Sequence, residues 1–366
     1  MGFPIRPVVA FYNDTSYKLA RFLTQWFRLH SSFAPQHTIT NFSHLASQFT
    51  DSFPPTSTLF SLDVSSMYTN IPVSQSVGYM LDHLRANNIH SDIISEFHTL
   101  INWCLKNICF YNGTLYEFPD GLPMGAPLSS LVADVFMDTF ETEFLHSTLT
   151  PQPHILSWHR YVDDILGVWD GPPSALTNLL NYLNSLHPSI NFTLEVGGSS
   201  INYLDLTISL TPHSHSHQLH PQFAIYRKPS NTGIFINGLS FHHISHKLSA
   251  FLFLINRLLS IPLSKLDFEK EKQCISDLAR KNNIPIDVNK TINRKSLQRA
   301  FHSISTLRTP HLPSPLERVR WVRLPFLGNS SNHLSRFLRN YDYQPAFYSL
   351  LTEGHLSSLK DKLPLP

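Results

Sequence analysis

The stretch HRYVDDILGVW, residues 159–169, constrains this chain more than any other. Asp163 and Asp164 stand side by side between the β-prone pairs Tyr161-Val162 and Ile165-Leu166, so like charges meet inside a run that otherwise reads as strand. An Asp side chain bonds its own backbone readily and favours turns, which makes the segment a hairpin with the acids at its tip. Such a tip can also hold a divalent metal, whose positive charge offsets the repulsion. The two readings are compatible, and the rest of the chain decides between them.

A third acid, Asp63, closes an apolar run in LFSLDVSSMYTNIP, and Tyr68 follows five residues later, where the chain leaves the strand. A lone Asp at a strand end is ordinarily a cap or turn former. Set beside Asp163 and Asp164, however, it completes three carboxylates near strand ends. These could hold two Mg2+ ions about 4 Å apart, one activating a hydroxyl nucleophile and the other clamping a triphosphate. Mg2+ takes oxygen ligands, so Asp suits it where Cys would not. Between the acids lies DGLPMGAPLSSLVAD. Pro127, Ser129 and Ser130 mark a helix start, and Leu128, Leu131, Val132, Val135 and Phe136 recur at helical spacing as core residues. Gly121 and Gly125 flank Leu-Pro-Met, either as a close-packed turn or as backbone that lets a flat ligand approach.

At 366 residues, 42% hydrophobic and 15% charged, the chain is long enough for two or three domains with sizeable cores. Cys104, Cys109 and Cys274 form neither a zinc spacing nor a disulfide framework, which suits a reducing compartment and buried thiols. The first thirty residues carry Asp14, Lys18 and Arg21 without a long apolar core, and LSAFLFLINRLL is too short and interrupted to span a bilayer. A soluble, intracellular protein is expected. Its opening, MGFPIRPVVAFYNDTSYKLARFL, reads as a strand and helix that begin abruptly, as in a truncated element or an incomplete gene model.

Charge is unevenly spread. Residues 1–250 carry 10 Lys and Arg against 17 Asp and Glu, whereas residues 251–366 carry 18 against 9. A basic C-terminal third on an acidic body suits nucleic-acid binding, and equally a solvated helical surface. The patch HSHSHQLH, with His213, His215, His217 and His220, reads as a loop between two strands rather than as a metal site.

Periodicity gives a strand at TLFSLDVSSMY, helices at SQSVGYMLDHLRANN and DIISEFHTLINWCLKN, and a hairpin at ICFYNGTLYEF with Asn-Gly at its turn. A helix follows at PLSSLVADVFMDTFETEFL, then the RYVDDILGVW hairpin, a helix through ALTNLLNYLNSLH, and single strands at NFTLEV, NYLDLTISL and FAIYRK. Beyond about 240 the pattern is mostly helical, near 246–260, 264–282 and 289–303.

The order SLDVSSMYTNIP, GLPMGAPLSS, RYVDD, NYLDLTISL, IYRKPSNT resembles the palm of reverse transcriptases, and specifically those of Penelope-like retroelements. The last two segments carry the specificity. PIRPVVA looks like the end of the fingers, and LSFHHISHKL with the helices to about 296 looks like the helix-turn-helix segment that follows the palm in such proteins. VRLPFLG and LSSLKDKLP resemble the family's C-terminal portion. The resemblance implies an α+β fold: a right-hand polymerase palm with partial fingers, followed by a mainly α-helical thumb. It divides the chain into partial fingers at 1–55, palm at 56–238, a helix-turn-helix-like thumb segment at 239–303 and a thumb extension at 304–366.

By the same resemblance Asp63 and Asp163 are metal ligands and Asp164 is the third active-site carboxylate. Tyr68 matches the steric gate against a ribose 2′-hydroxyl. Met124 and Gly125 match the segment under the incoming nucleotide, with Met124 where many viral enzymes carry Gln. Arg6 matches a fingers arginine near the triphosphate, and Lys228 a lysine for phosphate binding or acid catalysis. The implied cofactor is Mg2+, two ions, with Mn2+ as the alternative. The implied partners are an RNA template, a DNA primer, deoxynucleoside triphosphates and a separate endonuclease, since no GIY…YIG signature is present. A DNA target implies the nucleus. The basic helices would grip the primer-template backbone without reading sequence. The rival reading is a catalytically silent, truncated nucleic-acid-binding remnant of such an element. An RNA-dependent RNA polymerase is disfavoured by Tyr68, because it must admit the 2′-hydroxyl.

Overall fold

A computed structural model describes residues 11–106, 108–111, 113–117, 120–146, 154–212, 217–306 and 320–348. It divides into two compact units, Met1–Gln222 and Phe223–Pro366.

In the first unit α1 (Tyr17–His30) and α2 (Phe42–Gln48) precede β1 (Thr58–Val64). Asn41 caps α2, its side chain accepting from the N–H groups of Ser43 and His44. The short α3 (Met67–Asn70) leads into α4 (Val73–Ala86) and α5 (Ser91–Cys104). The hairpin of β2 (Ile108–Tyr111) and β3 (Thr114–Glu117) comes next, then α6 (Ser129–Leu145). β4 (Ile155–Tyr161) and β5 (Asp164–Trp169) form the expected hairpin, followed by α7 (Pro173–Leu186) and β6 (Phe192–Gly198). The run NYLDLTISL, read from sequence as one strand, is instead a hairpin of β7 (Ser200–Tyr203) and β8 (Leu206–Pro212). Its turn holds Leu204 at a φ of +54, a left-handed position that no Gly or Asn advertises in the sequence. β8 neighbours β9 (Leu219–Ile225), in which the first unit ends; His213 and His215 lie outside the described residues.

The main sheet has the order β4-β5-β1-β6 and is antiparallel throughout. Side chains alternate across it. On β1, Phe60, Leu62 and Val64 join one core with Val77 and Met80 of α4, Val132 and Phe136 of α6, and Leu179 and Leu183 of α7. Gly167 on β5 sits opposite Phe60, whose ring fills the space a side chain would need: a Cβ there would come within 2.2 Å of it. One face of the sheet is thus sealed by helices. Asp63 projects to the other.

The second unit packs α8 (Ile244–Leu258), α9 (Lys265–Lys281) and α10 (Val288–Thr306) around Phe251, Leu254, Ile255, Ile275, Val288 and Ile292. Ser264 caps α9 by accepting from the Asp267 N–H and donating to its carboxylate. The mostly helical reading holds for these three helices but not beyond them. Residues 320–348 form β10 (Arg320–Pro325), α11 (Asn329–Arg339) and β11 (Tyr343–Tyr348), with the two strands parallel. A helix between parallel strands is the standard way to connect them, and the two strands here are too short to show a clear alternation in sequence.

Candidate active site

β1 ends and β5 begins at the same level of the sheet, with Asp63 directly opposite Asp164. Tyr161 of β4 faces Asp164 from the other side, and Thr193 of β6 faces Asp63. Directly opposed residues of antiparallel strands project to the same face. Tyr161, Asp164, Asp63 and Thr193 therefore make one row across four strands, on the face away from the helix-packed core. Asp63 is exposed, and Asp163 and Asp164 are half-buried.

Because Tyr161 and Asp164 are the last paired residues, Val162 and Asp163 alone make the turn. Val162 has a φ of +57. For a β-branched residue that is a strained, left-handed conformation, worth about 1–3 kcal/mol, which persists only where surroundings enforce it. Three donors from three places do so. The Arg160 guanidinium donates to the Val162 carbonyl at 3.2 Å, the Val64 N–H to the Asp163 carbonyl at 3.0 Å, and the Tyr203 hydroxyl to the Asp164 carbonyl at 2.8 Å. Three consecutive carbonyls of the turn are each held by a different strand: β4, β1 and β7.

Arg160 is wholly buried. It donates through Nε to Glu141 at 3.0 Å, through Nη1 to Asp134 at 3.3 Å and through Nη2 to the Thr38 hydroxyl at 2.9 Å. Trp158 donates to the other Glu141 oxygen at 2.9 Å. Burial works against the guanidinium's charge, but Glu141 and Asp134 more than offset it, so its pKa lies above the usual value. Asp134 is pushed up by burial, against the pull of Arg160. Burial, and then the neighbouring Asp164, also raise the Tyr203 phenol, which stays protonated and able to donate.

Tyr68 stands half-buried on α3. Its pKa is raised by burial first, and then by Asp134 and Asp163, so it lies within electrostatic reach of the turn. The GLPMG loop is tied to it, the Leu122 N–H donating to the Tyr68 carbonyl at 2.6 Å. This contact explains Gly121. At a φ of +86, its Cβ would lie 2.3 Å from the Thr69 carbonyl oxygen. Met124 is half-buried and Gly125 exposed, with a φ of +100, and the Ser129 hydroxyl fastens the loop by donating to the Pro123 carbonyl at 2.8 Å.

The structure thus brings Asp63, Asp163 and Asp164 to one end of the sheet, with Tyr68 and the Gly121–Gly125 loop joined to each other nearby. Lys228 is exposed and belongs to the second unit. Arg6 lies outside the described residues. Among the described residues no three His, Cys, Asp or Glu side chains are gathered closely enough to hold a metal ion by themselves. The oxygen donors at this end of the sheet are the carboxylates of Asp63, Asp163 and Asp164, and Mg2+ ordinarily keeps several waters and takes one or two carboxylates together with substrate phosphates.

Arg160, Glu141, Asp134 and Tyr203 escaped the sequence reading. A signal was present: Arg160 is the sole Lys or Arg between Lys106 and Arg227, and it precedes the paired acids by three residues. Asp134 and Glu141 are seven apart in an apolar helix, hence on one face of it.

No known family model and no curated protein matches the sequence. Among solved structures the chain is similar to telomerase from Candida albicans in complex with a TWJ fragment of telomeric RNA, at 12% identity and a TM-score of 0.47 over 77% of this chain and 51% of that one. It is also similar to apo telomerase from Candida tropicalis, at 14% identity and 0.42 over 81% and 51%. The third is Sicinivirus 3Dpol RNA-dependent RNA polymerase, at 14% identity and 0.44 over 79% and 61%. The chain spans about half the length of these telomerase chains.

Proposed function

We propose that this chain is an RNA-directed DNA polymerase of a Penelope-like retroelement, its palm built on the β4-β5-β1-β6 sheet and its thumb on the basic helical segment. One observation carries the reading: Asp63 lies across the sheet from Asp164, beside a strained turn that presents Asp163 and is held at three successive carbonyls.

In this reading Asp63, Asp163 and Asp164 would hold two Mg2+ ions, with Mn2+ as a substitute. When bound, the ions activate the primer 3′-hydroxyl and neutralise charge on the triphosphate. The rest is positioning by the chain's own groups. Arg160, Val64 and Tyr203 fix the acids' backbone. Tyr68 closes the space beside the sugar, and Met124 and Gly125 underlie the nucleotide, with an apolar contact at Met124. Arg6 and Lys228 are assigned to the triphosphate. The substrates are an RNA template, a DNA primer and deoxynucleoside triphosphates. In this reading the DNA end comes from a separate endonuclease or pre-exists, in the nucleus.

The test is extension of a DNA primer on an RNA template with Mg2+, beside an Asp163→Ala/Asp164→Ala variant. Extension by the wild type alone supports the reading. Salt-sensitive binding of primer-template without extension by either protein supports the silent remnant. Tyr68→Ala adds a finer check: preference for deoxynucleotides over ribonucleotides falls roughly tenfold or more, as expected when a pocket loses the group that excludes a hydroxyl.

A further inference from the structure

The strand-helix-strand segment of the second unit carries four arginines, no lysine and one acid, Asp342, over residues 320–348. A cavity of about 710 Å³ opens beside it, within the range of small-ligand sites. Arg336 and Arg339 line it. Two arginines in the last turn of a helix complement its dipole wherever they stand. These two differ in facing a cavity whose described lining contains no Asp or Glu; its other polar side chains are His243, Ser245, His246, Asn332, Gln344 and Ser335, the last with its hydroxyl donating to the Ser331 carbonyl. An anion is the occupant such a lining selects, and Arg suits a phosphodiester because its planar fork matches two oxygens at once.

The same lining carries an exposed aromatic ring. Trp321 lines the cavity and is 68% exposed, although Trp is highly buried on average. Its strand neighbour Arg323 lies over the Tyr348 ring at 4.8 Å, and Arg320 over Tyr343 at 5.8 Å, so cations and rings already interleave along both strands. Two of the cavity's other lining residues are held by ring packing: His243 stacks on Phe347 at 5.0 Å and meets Phe326, outside the lining, edge-on at 5.4 Å. Burial, and then His246, lower the His243 pKa, which leaves the ring uncharged at neutral pH and part of the packing.

We infer that this cavity is a binding subsite for single-stranded nucleic acid, taking one phosphodiester on Arg336 and Arg339 and one unstacked base on Trp321. A duplex does not fit the description, because its base faces are occupied by their neighbours, whereas every base of a single strand can offer a face to an aromatic ring. The inference stands on the lining of this cavity and not on the polymerase reading.

The test is fluorescence anisotropy of the full chain with a labelled oligothymidylate or oligouridylate of about ten nucleotides, and with a duplex of equal length, across a range of salt. No nucleotide or divalent cation is added, so a chain unable to polymerise still answers. Trp321→Ala is expected to weaken single-strand binding about tenfold, with Trp321→Phe restoring most of it and the circular dichroism unchanged. Arg336→Ala/Arg339→Ala is expected to weaken it as well, and, with one phosphate released, to reduce the slope of log K against log salt by about 0.7. If both variants hold single strands as tightly as the wild type, or if they lose duplex and single-strand binding equally, the assignment is overturned. Parallel loss for oligothymidylate and oligouridylate supports a subsite blind to both the 2′-hydroxyl and the thymine methyl, and loss for one alone supports a subsite that distinguishes the strands by one of those groups.

Discussion

Val162 adopts a backbone conformation that a valine resists, and the three donors converging on its turn supply the reason it stays there. The cost of removing each donor should differ with its burial. Arg160→Met leaves the Glu141 carboxylate buried without its cation, which is expected to lower unfolding free energy by about 3–5 kcal/mol in urea titrations. Arg160→Met/Glu141→Gln removes that uncompensated charge while keeping an acceptor for Trp158, so stability should largely return. Activity should not return, because the Val162 carbonyl still lacks its donor. Recovery of both would mean that Arg160 serves stability alone. Tyr203→Phe is milder, costing about 1 kcal/mol for a lost hydrogen bond, and should lower turnover without changing the fold. Gly121→Ala acts on the other wall: strain at positive φ and the clash with Thr69 should cost at least about 1 kcal/mol and disturb the loop that carries Met124. At this scale the acids were legible and their supports were not. An Asp at a strand end announces itself, whereas Tyr203 reaches the turn from 39 residues away and Thr38 reaches Arg160 from 122 residues away.

Strand β4 carries a second consequence of burial. His159 on it has a pKa lowered to about 4 from 6.5, by burial first and then by the neighbouring His37. A group whose folded pKa lies below its unfolded one takes up its proton more readily when unfolded, so acid favours unfolding. Stability from this site is complete above about pH 6.5 and is lost as pH falls toward about 4. The melting temperature of the wild type should therefore fall across that window by more than that of His159→Phe, and equal falls would exclude the site as a cause. Elements as a class were the most readable part of the chain. Apolar spacing located α4, α5, α6, α7, α8, α9 and α10, and the β4-β5 hairpin followed from its acids. Reading failed where the physical signal was weak. Leu204 turns the chain between β7 and β8 without a glycine, and β10 and β11 are short, partly exposed strands whose pairing depends on a helix folding between them.

Across the whole molecule the two units differ in charge more than the sequence thirds did. Residues 1–222 carry 7 Lys and Arg against 17 Asp and Glu, and residues 223–366 carry 21 against 9. Each unit has its own core, one built on the sheet and helices around Phe60 and Phe136, the other around Phe251 and Ile275. In the proposed reading, the acidic unit bears the paired aspartates that would hold cations and the basic unit bears the arginine-lined cavity that would hold phosphates. Among the described residues no helix is long and apolar enough to cross a membrane. The most direct measurement is Mg2+-dependent extension of a DNA primer on an RNA template by the full chain and by its Asp163→Ala/Asp164→Ala variant. The account predicts extension by the wild type and none by the variant, with primer-template binding retained in both. Equal extension by the two proteins, or none by the wild type at any Mg2+ or Mn2+ concentration, would contradict it.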